Sequence, residues 1–184
     1  MLHPTSITIA TAENCFGKSP FCIVDLETSG LSPATCEITE IGVILVDENF
    51  SIIKEISHLT KTRYRLDARI TQITGITNRM LETQGIALGD AHTLLRDFIG
   101  EHPTFAHNAK FDNGFLSAAD SRFFCKQPIQ LHCSIPVFKH KKPGLSKYSL
   151  SFLSDYFGVS YSGSHRALRD CHITLACLRK MLDK

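Results

Sequence analysis

The stretch Phe21-Cys22-Ile23-Val24-Asp25-Leu26-Glu27-Thr28-Ser29-Gly30-Leu31 decides how this chain is read. Its first seven residues predict a β-strand. Phe21, Cys22, Ile23, Val24 and Leu26 leave that strand no polar face, so burial on both sides is expected. Side chains alternate along a strand, which points Asp25 and Glu27 to the same face, roughly 7 Å apart at the backbone. Two carboxylates in such a strand repel each other and lose hydration. A shared cation would offset both costs. The alternative is that the strand ends at Val24 and both acids are solvated.

Further strands are predicted at 39–47 and 51–59. The polar link Asp47-Glu48-Asn49 makes them an antiparallel hairpin. The link holding Gly30, Ser32 and Pro33 is too short for a helical crossover, so the first two strands should also be antiparallel. Helical periodicity follows at 66–73 and at 90–99, where Leu94, Leu95, Phe98 and Ile99 share a face. A short strand at 104–106 leads into a helix from about Asn108 to Ala119. A fifth strand is expected at 128–132, and a helix at 146–157 with Leu150, Leu153, Tyr156 and Phe157 on one side. The last helix should run from near Ser164 to near Leu182. This order predicts an α/β fold with a mixed five-stranded sheet flanked by helices.

Residues 21–184 are expected to form one domain, with 1–20 a leader or an added edge segment. Gly17-Lys18-Ser19 hints at a phosphate loop, but Ala12 stands where the first glycine should be, and a strand follows instead of a helix. The 184 residues are 43% hydrophobic and 21% charged, as in a globular protein able to bury a core. No apolar run approaches the roughly 20 residues of a membrane span. The first 20 residues lack a basic start and a clean apolar stretch, so no signal peptide is expected. No membrane association is expected, and the compartment expected is the cytoplasm. A net charge of +2 confines any basic surface to a local patch. The seven cysteines are odd in number and form no CxxC pair, which argues against a disulfide framework or a structural zinc site.

Two further acids stand out. In Thr104-Phe105-Ala106-His107-Asn108-Ala109-Lys110-Phe111-Asp112 a strand gives way to a helix, with Asn108 placed as its N-cap. Asp112 then sits in the first turns, where the helix dipole alone would account for it. In His165-Arg166-Ala167-Leu168-Arg169-Asp170 the final helix begins. Leu168, Cys171, Leu175, Leu178 and Leu182 form its apolar stripe, and Asp170 falls about 110° from the stripe's centre. That is the buried edge, where an unpaired carboxylate is costly. His165 belongs to a glycine-containing loop with Gly163 and reads as either a surface residue or a functional one.

An Asp-x-Glu-Thr-x-Gly-Leu strand, then His-Asn-x-x-Phe-Asp, then His-x-x-x-x-Asp resembles the DEDDh exonuclease family. That family includes the epsilon proofreading subunit of bacterial DNA polymerase III, ribonuclease T and oligoribonuclease. Asp25 to Leu31, His107 to Asp112 and His165 to Asp170 carry the resemblance, with Ile73-Thr74-Gly75-Ile76-Thr77 as a further family element. It covers about residues 21–182. Cys133-Ser134 departs from an Asp-Thr pair frequent in the family. The chain also shows no clamp-binding peptide and ends at Lys184 without the polymerase-binding tail of the epsilon subunit, which favours a free-standing enzyme over a polymerase subunit.

The resemblance implies a ribonuclease-H-like fold and a 3′→5′ exonuclease acting on single-stranded DNA or RNA ends, with release of 5′-mononucleotides. It implies two Mg²⁺ ions, with Mn²⁺ as a substitute. Asp25 would bridge both metals, Glu27 and Asp170 would hold the one beside the attacking water, and Asp112 would hold the second. His165 would accept the proton of that water. Thr28 would bond near the 3′ end, and Phe111 and Leu31 would pack on base or sugar. Asn108 is split evenly between contacting substrate and acting only as a cap. The run Lys139-His140-Lys141-Lys142 either grips upstream phosphates or is a solvated loop. Glu40 either tunes the site or is a surface acid at a strand end. A separate DNA polymerase is a possible partner, and homodimerisation is open, as some relatives dimerise. The rival from another class is a nuclease-like fold retained only to bind nucleic acid.

Overall fold

The computed structural model describes residues 19–163 and 165–183. The expected leader over 1–20, with Gly17, Lys18 and Cys15, lies almost wholly outside them. Five strands form one sheet: β1 (Phe21–Thr28), β2 (Ile38–Val46), β3 (Ile52–Leu59), β4 (Thr104–Ala106) and β5 (His132–Cys133). Their order is β3-β2-β1-β4-β5. β1 pairs antiparallel with β2, and β2 with β3, while β1–β4 and β4–β5 are parallel. The described residues hold seven helices: α1 (Ala68–Thr74), α2 (Asn78–Gln84), α3 (Leu88–Ile99), α4 (Lys110–Arg122), α5 (Ile135–Lys141), α6 (Leu150–Phe157) and α7 (Ala167–Leu182). This is the expected mixed α/β sheet. No described helix is long and apolar enough to cross a membrane. The six described cysteines are free thiols.

β1 is central because it is apolar on both faces, and its alternation sorts the core. Phe21 and Ile23 join Ile44, Phe105 and the α7 residues Cys171, Leu175 and Leu178 on one face. Cys22, Val24 and Leu26 join Val43 of β2 and Leu95, Phe115 and Leu116 from α3 and α4 on the other. Continuing the odd-numbered series by two and four residues carries Asp25 and Glu27 to the α7 face. The register shift between Glu27 and Thr28 then ends the regular pairing.

α7 lies unusually close to the sheet. A Cβ built on Gly42 would stand 2.3 Å from the Leu168 amide nitrogen and 2.5 Å from the Ala167 carbonyl carbon. Gly42 is the cross-strand partner of Asp25. The missing side chain thus lets the first turn of α7 rest on the backbone beside Asp25, and the Cys171 thiol meets the Gly42 carbonyl at 3.4 Å.

Several boundaries and faces differ from expectation, each for a local reason. α1 begins after Asp67, whose side chain accepts from the Arg69 amide at 2.7 Å, so Leu66 precedes the helix. The short helices α2 and α5 carry too little periodicity to be read, and the Lys139–Lys142 run forms the last turn and end of α5, not a loop. Leu94 and Tyr156 turn to solvent, while Ala91 and His92 take the buried side of α3. Asn108 is not the cap of α4: it has φ +63°, and Ala109 occupies the cap position without a side-chain bond. β5 is shorter and later than the expected 128–132. α6 starts at Leu150 because Ser149 caps it, accepting from the Phe152 amide, and α7 starts at Ala167.

The close approach sets a stability test. Gly42→Ala places a methyl group against helix backbone that cannot rotate away. Overpacking of this kind costs about 1–3 kcal/mol, and more where neither wall can yield. Urea unfolding of Gly42→Ala should show a loss of at least about 2 kcal/mol. A variant as stable as the parent would show that α7 does not rest on β2 as described.

Candidate active site

Four carboxylates from three elements converge where β1 outruns β4. β4 pairs with β1 at Cys22 and Ile23, leaving the chain beyond them free on that side. α4 starts there and carries Asp112, 2% exposed. Backbone N–H groups of Asp112 and Leu26 favour its charged form, but burial outweighs them and pushes it up to about 7. From the opposite side α7 brings Asp170, 7% exposed and likewise raised by burial. Glu27 is pushed up to about 8, first by burial and then by the charges of Asp170 and Glu40. Asp25 sits in the middle and is raised well above the carboxylate range, by burial first and then by Asp112, Asp170, Glu27 and Glu40.

The His165 and Asp170 ends of the site are tied together. The His165 amide donates to Asp170 Oδ2 at 3.1 Å, and the Asp170 amide donates to the Arg166 carbonyl at 2.9 Å. Side-chain ligand atoms of Glu27, His165 and Asp170 all lie within 4.8 Å of one another. His165 is itself exposed and holds φ +62°. Asp170 Oδ1 is buried with no hydrogen-bond partner. An orphaned carboxylate oxygen among four mutually repelling acids fits a hard divalent cation, which takes oxygen ligands.

Around this cluster the remaining expected site residues fall as follows. Thr28 is buried and its hydroxyl donates to the Gly30 carbonyl at 2.7 Å, which fixes the turn after β1. Leu31 projects from that turn 86% exposed. Phe111 is half-buried, with its ring 5.1 Å from that of Phe115. Asn108 lines a cleft of about 570 Å³ together with His107, Ile135, Lys139, Lys147 and Tyr148.

Two residues have parts here that sequence reasoning did not assign. His107 is a strut. Its Nε2–H donates to the Tyr148 carbonyl at 2.8 Å, because a carbonyl can only accept, so Nδ1 accepts from the Ser134 hydroxyl at 2.9 Å. Burial pushes His107 down to about 4, so it is neutral near pH 7. Ser134 thus serves as its partner, which gives Cys133-Ser134 a structural role. Glu40 is no surface acid: it is 1% exposed, stands opposite Glu27 in the β1–β2 ladder, and binds Arg166 through both carboxylate oxygens at 2.8 and 2.9 Å. An acid on a neighbouring strand was legible, but its partner 126 residues away was not.

A second cluster, His92, Asp120 and Cys125, also brings ligand atoms within 4.8 Å. Asp120 is already engaged there by Arg96 at 3.0 Å and by the Ile129 amide at 2.7 Å. It ties α3, α4 and the following loop together.

Comparison with known proteins bears on the family and the fold. A sequence model of the RNase T family, described as an exonuclease, matches residues 22–178. The DNA polymerase III epsilon subunit of Aquifex aeolicus is 28% identical over 168 residues, covering 89% of this chain and 81% of that protein. The PolC-type DNA polymerase III of Clostridium perfringens is 28% identical over 182 residues, 98% of this chain but only 12% of that much longer protein. E. coli exonuclease I in complex with a dT13 oligonucleotide superposes with a TM-score of 0.75 at 20% identity, covering 91% of this chain and 41% of that one. At that identity the likeness speaks for the ribonuclease-H-like fold alone.

The raised carboxylates set a pH test. In the unfolded chain Asp and Glu titrate near 4. In the folded protein Asp112 and Glu27 titrate near 7 and 8. The stability that their protonated forms confer is therefore complete below about pH 4 and is lost as pH rises through 7 and 8. In EDTA the melting temperature should fall from pH 5 to pH 9. Mn²⁺ should raise it far more at pH 8 than at pH 5. A metal-free melting temperature that holds level or climbs across this window would refute the clustering.

Proposed function

The chain belongs to the exonuclease family, and from that membership we propose that it is a metal-dependent 3′→5′ exonuclease releasing 5′-mononucleotides from single-stranded DNA or RNA ends in the cytoplasm. The observation that carries this reading is the unpartnered Asp170 Oδ1 among four acids with raised pKa values, beside His165. Asp25, Glu27, Asp112 and Asp170 would hold two Mg²⁺ ions, or Mn²⁺ in their place. Bound there, such ions supply positive charge for the attacking water and for the departing oxygen.

The chain's own groups do the rest. The His165 imidazole accepts a proton as the water oxygen attacks the terminal phosphorus. The phosphorus–O3′ bond then breaks, the penultimate nucleotide keeps its 3′ oxygen and takes up a proton, and a 5′-mononucleotide leaves. Asp170 accepts the His165 amide and so holds that residue's backbone next to Glu27. Leu31 and Phe111 offer apolar surface to the terminal base and sugar, where stacking tolerates any base. Thr28 and Asn108 contact the same terminal nucleotide. Lys139 and Lys147, which line the cleft with Asn108, meet upstream phosphates, and the neutral His107 in the same lining adds no charge.

Similarity to the epsilon subunit and to PolC supports a second reading, in which the same chemistry proofreads for a separate DNA polymerase. Co-purification with a polymerase would favour it.

A digestion panel tests direction and metal need together. A 5′-labelled single strand should give a descending ladder with Mg²⁺ and no product in excess EDTA. A 3′-phosphate should slow the reaction, and circular single strands should survive. Early internal cuts, or full activity without metal, would end this reading.

Two variants then separate the roles at the α7 end. His165→Ala should keep metal affinity and lose about 10²–10⁴-fold in turnover, the range for a positioned base. Asp170→Asn should lose metal affinity along with turnover, and without metal it should melt no lower than the parent, because one repelling charge is gone. If His165→Ala turns over at the parent rate, His165 is only a loop residue.

A further inference from the structure

Glu40 would touch neither substrate nor metal, although its charge is felt by Glu27 and Asp25, and it is the best-satisfied buried acid beside the site. Its carboxylate accepts from Arg166 Nε and Nη2, from the Ala167 amide at 3.0 Å, and from the Ser57 hydroxyl at 2.9 Å. We propose that Glu40, acting through Arg166 and the Ala167 amide, is the positioning residue that sets the His165–Asp170 wall of the active site. The inference rests on the exonuclease reading of that site.

Three observations carry it. First, α7 has no cap of its own. Arg166 is its cap residue and makes no side-chain cap bond, so a first-turn amide that most helices satisfy locally is met here from another strand. Second, His165 holds a left-handed backbone, unfavourable for a residue with a Cβ, so something must impose it. The next residue, Arg166, is gripped on both sides: its guanidinium by Glu40 and its carbonyl by the Asp170 amide. Third, the anchor is registered to the acids it serves. Glu40 is the cross-strand partner of Glu27, and Gly42, two residues on, is the partner of Asp25. One strand therefore fixes where α7 begins and how closely it approaches. An Arg fork on a carboxylate holds orientation as well as distance, which a single-point contact does not.

A merely structural ion pair would cost stability and leave the folded enzyme's kinetics intact. The test therefore uses Glu40→Gln, Arg166→Gln and the double variant, each assayed below its measured melting transition. Two readouts are taken: the Mn²⁺ dissociation constant of the protein alone, by calorimetry, and kcat and KM on a 5′-labelled oligonucleotide. Each single variant should weaken Mn²⁺ binding at least threefold and lower kcat at least tenfold, with KM within threefold. The double variant should lose no more than the worse single one, because both act through one contact. Mn²⁺ binding altered less than threefold in folded Glu40→Gln overturns the proposal, whatever happens to its melting temperature. Multiplicative losses in the double variant overturn it too. If Glu40→Gln does not fold, Arg166→Gln carries the same readouts, since that side chain is 41% exposed. If the parent binds Mn²⁺ but cleaves no nucleic acid, the exonuclease reading falls, and the Mn²⁺ comparison still decides for or against Glu40.

Discussion

The contact between Gly42 and the first turn of α7 is the constraint on which the site depends. Helices usually pack on sheets through their side chains. Here helix backbone meets strand backbone, since a Cβ at Gly42 would overlap both Ala167 and Leu168. The approach buries α7 on most of its circumference, and Cys171, Ile173, Thr174, Cys177 and Leu178 are all enclosed. It also carries Asp170 down to the level of Asp25 and Glu27. A helix resting on side chains at this point would hold Asp170 several ångströms further out.

The same closeness makes the site costly without a ligand. Two like charges at the 4.8 Å separation that bounds Glu27 and Asp170 repel by about 3.5 kcal/mol at an effective dielectric near 20. Burial adds to this for Asp112, Asp170 and Asp25, as their raised pKa values record. The fold tolerates the cluster because the buried acid beside it, Glu40, has a guanidinium, an amide and a hydroxyl to itself. Arg166 in turn lowers the cost of ionising Glu27. The site stores repulsion that a cation would relieve, and the surrounding hydrogen bonds keep that repulsion from spreading the elements apart.

Polar struts hold the surrounding elements in the same way. His107 joins β4, the start of α5 and the segment before α6 through one neutral ring. Asp120 joins α3 to the loop that leads into β5. Asp120 is buried and His107 half-buried, and both have partners far off in sequence. Each fixes a wall of the molecule whose own short helices would not be stable alone.

The alternation within Phe21–Glu27 determined by itself that Asp25 and Glu27 share a face of a buried strand, and helical spacing alone put Asp170 at the buried edge of the last helix. Those inferences hold because side-chain direction in a strand or helix is set by local backbone geometry. The antiparallel hairpins and the mixed sheet were legible for the same reason, from short links and apolar runs. Tertiary structure decided the rest. Asn108 turned out to be a left-handed bend and not a cap, because the chain must leave β4 and enter α4 sharply. Glu40 turned inward because Arg166 meets it across 126 residues, and Ser134 matters because His107 reaches it across 27. A hydrogen bond between distant segments leaves no periodic trace in either one, so it exists only once the chain has folded.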